Sequence, residues 1–240
     1  MTERADKLLY KKGLCKSRSA AQTLIDEGKV LCNGRTVLKP SELLEEDCEL
    51  TVTEELKYVS RGGYKLEYAL KRFNIDVTDD VCIDIGASTG GFTDCLLQHG
   101  AAKVYAIEGG HGQLDKTLQN DDRVISIENF NARELSLDSI GEYCKTAVMD
   151  VSFISQTLLH KNVYSVLEKK GKFITLIKPQ FEAGKENIKK HGIASKEYYD
   201  AVISKVISSA EACGFKLMCT DTSVIKGGDG NTEFIAYFVK

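Results

Sequence analysis

The chain has 240 residues, 42% of them hydrophobic and 28% charged, with a formal net charge of −3. That supports one medium α/β domain with a small additional one, and it excludes a polycation. No apolar run approaches the ~20 residues that a helix needs to cross a bilayer. The first residues, MTERADKLLYKKG, are charged and carry no signal-peptide core, so the expected compartment is the cytoplasm. Eight cysteines, none in a Cys-x-x-Cys pair or at metal-ligand spacing, read as reduced and mostly buried thiols, and no metal site is expected.

In chain order, residues 4–12 predict a first helix, with Ala5, Leu8 and Leu9 at helical spacing and Gly13 just past its end. Ser17 to Glu27 predicts a second, with Ala20, Ala21, Leu24 and Ile25 on one face. Lys29–Leu31 and Arg35–Leu38 predict a hairpin around Asn33-Gly34, and Cys48–Val52 a further strand. Residues 1–58 are thus expected to be an α+β unit with its linker, marginal in size for folding alone. Residues 1–40 hold nine basic and four acidic side chains, whereas Glu42 to Glu55 holds seven carboxylates and no base. Arg4, Lys7, Lys11, Lys12, Lys16, Arg18, Lys29 and Arg35 are therefore expected to form an anion-binding face.

From residue 59 onward the pattern changes. Gly63 to Phe73 predicts a helix; Val81–Ile85, Lys103–Ile107, Arg123–Ile127, Thr146–Met149 and Lys172–Ile177 are short apolar strands separated by helix-length stretches. That alternation predicts a parallel sheet covered on both faces. A long helix over Ser195–Cys213 follows, then strands Phe215–Val224 and Glu233–Val239, an antiparallel pair joined by a glycine-rich loop over 226–231.

Asp84-Ile-Gly86-Ala87-Ser88-Thr89-Gly90-Gly91-Phe92 follows a buried strand and opens a helix. Glycines there allow close approach to a ligand, and a helix start offers free N–H groups. A phosphate-binding P-loop needs Gly-Lys-Ser/Thr, but this loop ends in Gly91-Phe92-Thr93. A dinucleotide fingerprint needs Gly-x-Gly-x-x-Gly, but Gly86 precedes Ala87 and Ser88. S-adenosylmethionine carries no phosphate and needs a close turn plus carboxylates for its amino group and ribose hydroxyls. Asp84 at one strand tip and Glu108 at the next supply them; Asn131 and Asp150 complete the candidate cofactor set.

Two lysines and two acids sit at sheet ends, where open α/β folds gather their chemistry. Lys65 lies in Ser60-Arg-Gly-Gly-Tyr-Lys65, Lys178 before Pro179 at a strand tip, Asp150 in Met149-Asp150-Val-Ser-Phe, and Glu233 at the start of the last strand. A lysine held near carboxylates can orient and polarise a ribose hydroxyl. Methylation of a base amine commonly uses Asn/Asp-Pro-Pro-aromatic, and methylation of cytosine carbon a cysteine after proline; neither is present.

Together these stretches resemble the TlyA family, haemolysin-A-like ribosomal RNA methyltransferases. Arg4-Ala-Asp-Lys-Leu-Leu, Ser17-Arg-Ser-Ala-Ala-Gln and Gly28-Lys-Val-Leu-Cys-Asn-Gly-Arg35 resemble an S-four-type RNA-binding domain. Ser60–Leu66, Asp84–Thr93, Asp150–Ser155 and Lys178–Glu182 resemble the signatures of an FtsJ-type methyltransferase domain over 59–240. The resemblance implies a Rossmann-like, mostly parallel seven-stranded fold using S-adenosylmethionine. It also implies a catalytic Lys65-Asp150-Lys178-Glu233 set without a metal, and transfer to a cytidine 2′-hydroxyl in ribosomal RNA. The short N-terminal start resembles the shorter branch of the family, which implies a large-subunit target; a monomer is the favoured state. The chain departs from its relatives at Glu108-Gly-Gly-His111, where Asp-Val-Gly-Tyr is usual. Two other expectations stay open: a haemolysin, for which the sequence offers no secretion signal or membrane segment, and a non-catalytic RNA-binding assembly factor.

Overall fold

The computed structural model describes residues 1–184, 187–188, 192–227 and 230–240; Gly228 and Asp229 of the 226–231 loop lie outside the described residues. The chain divides into two units, Met1–Arg61 and Gly62–Lys240.

The first unit runs β1 (Thr2–Arg4), α1 (Ala5–Lys11), α2 (Arg18–Asp26), β2 (Val30–Cys32), β3 (Arg35–Thr36), β4 (Leu43–Glu45) and β5 (Leu50–Val52). Helix α2 begins where the Ser17 hydroxyl accepts the Ala20 N–H at 3.1 Å, satisfying one donor the helix start leaves open. The β2–β3 turn places Asn33 at φ 49° and Gly34 at φ 77°, the left-handed pair that a two-residue hairpin requires. Ala5, Leu8, Leu9, Ala21, Leu24 and Ile25 bury the apolar faces of both helices against Val30, Val37 and Leu44. The β1–β4 pair, Thr2 opposite Glu45, is an addition to the predicted elements. Three-residue strands are too short to show alternation.

The second unit opens with α3 (Gly62–Arg72), β6 (Val81–Ile85), α4 (Gly91–Gln98), β7 (Lys103–Ile107), α5 (Lys116–Gln119), β8 (Val124–Ile127) and α6 (Leu137–Ile140). It continues with β9 (Cys144–Met149), α7 (His160–Val166), β10 (Leu167–Ile177), α8 (Pro179–Glu182), α9 (Tyr199–Ala212), β11 (Lys216–Thr222) and β12 (Phe234–Val239). Its sheet has the order β11-β12-β10-β9-β6-β7-β8, with β12 antiparallel to both neighbours and the pairs from β10 to β8 parallel. The mostly parallel seven-stranded α/β sheet is thus the expected one. Strand β10 starts at Leu167, ahead of the predicted Lys172, with a register shift between them. A short 3-10 turn over Lys196–Tyr198 takes the start of the predicted long helix.

Along β10 and β12 alternate residues face opposite ways. Phe173, Ile177, Ala236 and Phe238 pack with Val163 and Val166 of α7 and Val202, Val206 and Ala210 of α9. Ile174, Leu176 and Ile235 meet Leu66 and Ala69 of α3 and Phe92 of α4. The chain moves outward from β6 through β7 to β8, then returns to β9 on the other side of β6. That reversal opens a crevice at the carboxyl ends of the strands. Among the described residues, no helix is long and apolar enough to cross a membrane.

Candidate active site

A cavity of about 420 Å³ lies at this reversal, within the 300–1,000 Å³ usual for small-ligand sites. Of the predicted cofactor residues, Gly86, Ser88, Glu108, Asn131 and Asp150 line it; Gln113, Phe130 and Val151 join them. Ala87, Thr89, Gly90, Gly91 and Phe92 do not line it. Gly86 has φ 83°, and a Cβ there would lie 3.0 Å from the Asp150 carbonyl oxygen, so this glycine lets two strand ends meet. Gly90 makes room for packing: a Cβ would fall 2.3 Å from Leu118 Cδ1.

Glu108 accepts the Ser88 N–H at 2.9 Å and the Gly110 N–H at 2.8 Å, which fixes its carboxylate at the cavity wall. At the departure Glu108-Gly-Gly-His111, the Gln113 amide lies over Gly110, where a Cβ would be 2.0 Å from Nε2. Gln113 also accepts from the Ser88 hydroxyl at 3.3 Å. Asp84 is wholly buried; its Oδ2 accepts from the Thr93 N–H at 2.9 Å and hydroxyl at 2.7 Å, while Oδ1 has no hydrogen-bond partner. Burial first, and then the charges of Asp150 and Glu108, push its carboxyl up to about 7, against the Thr93 hydrogen bonds. Three acids converge here, and Lys178 is the cation beside one of them, Asp150.

The four remaining candidates form two ion pairs. Lys65, from α3, meets Glu233 at 2.6 Å, and Glu233 is 2% exposed. Gly227 is close enough that a Cβ would lie 2.5 Å from Glu233 Oε1. Lys178, at the tip of β10, meets Asp150 Oδ1 at 2.5 Å and donates to the Ser152 hydroxyl at 2.9 Å. Asp150 Oδ1 also counts among buried atoms without an aligned hydrogen bond, so its partner is the ammonium charge.

Sequence reasoning missed the brace behind Asp150. Glu182 accepts from the Gln156 N–H at 2.7 Å and the Ser155 hydroxyl at 2.6 Å. Gln156 in turn donates to the Leu176 carbonyl at 2.9 Å and accepts from Thr175 at 2.7 Å. These bonds tie the 150–156 segment to the end of β10, next to Lys178. Glu182 and Ser155 stood inside the signature stretches, and that was their only signal. Phe153, at φ 63° and 93% exposed, lines the cavity mouth with its ring 5.2 Å from that of Phe181.

Residues 58–240 match the FtsJ-like methyltransferase family, and residues 3–49 match the S4 domain. The chain is 42% identical over 238 residues to Hemolysin A of Brachyspira hyodysenteriae, covering 98% of this chain and 99% of that one. It is 37% identical over 237 residues to the 16S/23S rRNA (cytidine-2'-O)-methyltransferase TlyA of Mycobacterium tuberculosis, covering 98% and 88%. The chain belongs to the TlyA family of FtsJ-like methyltransferases. A solved structure from Streptococcus thermophilus, described as a hemolysin, matches this TlyA-family chain with a TM-score of 0.78 and 43% identity, covering 100% of this chain and 88% of that one.

Family and fold imply S-adenosylmethionine-dependent catalysis, and the residues fit such a ligand. An orphaned buried carboxylate oxygen with two neighbouring acids suits a cationic amino group, and Glu108 keeps lone pairs for hydroxyls. Among the described residues no group of three or more His, Cys, Asp or Glu is placed to hold a metal ion.

In the S4 unit of this TlyA-family methyltransferase, charge segregation along the sequence becomes pairing in space. Lys7 meets Glu3 at 3.6 Å, Lys11 meets Glu46 at 3.7 Å, and Lys29 meets Glu27 at 2.9 Å and Glu54 at 3.4 Å. Arg35 pairs with Glu42, and Lys12 donates to the Cys48 carbonyl at 2.6 Å. Arg4 and Arg18 both bind Asp6.

Proposed function

We propose that this enzyme transfers a methyl group to the 2′-hydroxyl of a cytidine in large-subunit ribosomal RNA, in the cytoplasm, as a monomer whose first unit supplies RNA affinity. The observation that carries the reading is the place of Asp150, which lines the cavity and pairs with Lys178 at 2.5 Å. A cation that can face a hydroxyl therefore adjoins the ligand cavity. The name of the Mycobacterium tuberculosis relative supports the substrate class.

Gly86, Ser88, Glu108 and Asn131 would hold S-adenosylmethionine, with Val151, Phe130 and Ile107 as apolar wall for a flat ring and the buried Asp84 carboxylate behind the loop. When bound, that cofactor supplies an electrophilic methyl group on a sulfonium. Lys178 presents an N–H to the hydroxyl oxygen and aligns its lone pair; alignment alone accounts for several kcal/mol of such a barrier. The Asp150 carboxylate takes the hydroxyl proton and passes it to water, while Lys178 keeps its charge. Lys65 and Glu233 hold the other side with zero net charge, so the site stays partly buried at small cost. The test is an otherwise matched RNA with 2′-deoxyribose at the target nucleotide. No methyl group is expected there, and transfer to it would place the acceptor on the base.

A further inference from the structure

Asp6 is wholly buried in the first turn of α1, yet its carboxylate gathers cations from two elements. Its Oδ1 accepts from Arg4 Nε at 3.0 Å and the Lys7 backbone N–H at 2.9 Å. Its Oδ2 accepts from Arg4 Nη2 at 3.1 Å, Arg18 Nη2 at 2.9 Å and Gln22 Nε2 at 2.9 Å. Burial would raise its pKa, but the bonds from Arg4, Gln22 and Arg18 hold it far below the ordinary carboxylate range. Both arginines remain partly in water, with side chains 39% and 45% exposed. Other cations of this unit, Lys11 and Arg35, meet acids that are themselves partly exposed.

We infer that Asp6 is a positioning residue that locks Arg4 and Arg18 into one preformed clamp for a nucleic-acid backbone phosphate. This rests on the reading of the first unit as RNA-binding. A guanidinium is a rigid planar fork, and holding one edge on Asp6 fixes where the other edge points. Arg4, held through two nitrogens, and Arg18, held through one, meet a phosphate without first paying in full for side-chain ordering. With all three groups ionised the cluster keeps one positive charge, so the phosphate meets net attraction.

The inference sets geometry against charge. Asp6→Asn removes a negative charge from an anion-binding face, so simple electrostatics predicts tighter binding to deproteinised large-subunit ribosomal RNA. The clamp predicts the reverse, about tenfold weaker binding at fixed salt, the scale of losing a charge-assisted hydrogen bond. The effect should fall on KM for RNA, with kcat unchanged. It should also vanish in an Arg4→Gln/Arg18→Gln background, because Asp6 acts only through those residues. Equal or tighter binding by folded Asp6→Asn overturns the inference, as does an undiminished loss in the double-arginine background. If circular dichroism shows that Asp6→Asn does not fold, Arg18→Lys decides: it keeps the charge and loses the fork. Several-fold weaker binding then supports the clamp, and unchanged binding overturns it. A wild-type protein with no salt-dependent RNA affinity removes the RNA-binding reading itself and the clamp with it.

Discussion

Lys65 and Glu233 meet with 10% and 2% of their side chains exposed, whereas Lys11 and Glu46 meet with 62% and 40% in water. The first pair has no water to fall back on, so each partner is needed to neutralise the other, and their geometry is fixed. The second is worth little to stability, and either member can exchange its partner for another ion. The two units therefore use the same residue types for different ends. The buried pair is fixed in place, and the exposed pair leaves its cation free to exchange partners.

The largest break in this comparison is Lys178→Ala. Methyl transfer should fall by at least about a thousandfold, the upper range for a positioned proton-handling group. Calorimetry should give unchanged cofactor affinity, and activity within tenfold of wild type would remove Lys178 from the reaction. Lys65→Met comes next. It strands Glu233 as a buried charge, with an expected loss of about 3–5 kcal/mol in urea unfolding. Adding Glu233→Leu should recover most of that stability and none of the activity; failure to recover would mean the loss does not come from the stranded Glu233 charge.

Asp84 sharpens the comparison through pH. Its carboxyl is pushed up to about 7 by burial and by Asp150 and Glu108, so below that pH it is mostly protonated without a ligand. A cationic ligand requires the ionised form. Affinity for S-adenosylmethionine should rise up to about tenfold per unit as pH climbs toward 7, then flatten. The same raised value makes the ligand-free fold lose stability as pH rises from the ordinary carboxylate range through 7. Asp84→Asn should bind weakly with a flat profile; a wild-type profile already flat from pH 5 to 8 contradicts the assignment. The smallest effect is expected at Glu46→Gln, which frees Lys11: under about 1 kcal/mol in stability, and RNA binding slightly tighter by fluorescence anisotropy. Of the two neutralised acids, Asp6 should weaken RNA binding and Glu46 should not.

Strands β6 and β7 were read to the residue, because short, mostly apolar stretches between polar loops leave little choice. Lys65, Asp150, Lys178 and Glu233 stood out in the sequence at strand ends and in signatures, but their arrangement as two ion pairs was not legible. Lys65 and Glu233 are 168 residues apart, and no local pattern records who meets whom. The glycine loop was half legible. Gly86 does border the cavity, whereas Gly90 answers to Leu118, a neighbour that only the fold supplies. Gln113 escaped notice because an amide in a loop carries no periodic signal. The sequence reading set the carboxylates of Glu42 to Glu55 apart from the basic face, but Glu42, Glu46 and Glu54 return to pair with the bases that precede them.

The late arrival of β12 sets an order of events during synthesis. The first unit closes on itself with strand pairs no farther apart than Thr2 and Glu45, so it can fold while the rest of the chain is still being made. The residues lining the cavity have all been made by Leu159. Glu233 comes later, ahead of a strand that must slot between β10 and β11 after both exist. A nascent chain thus completes its first unit first, the residues of the cavity second and the Lys65–Glu233 pair last. Until β12 inserts, β10 presents an unpaired edge, the kind of surface on which an unfinished chain sticks to others.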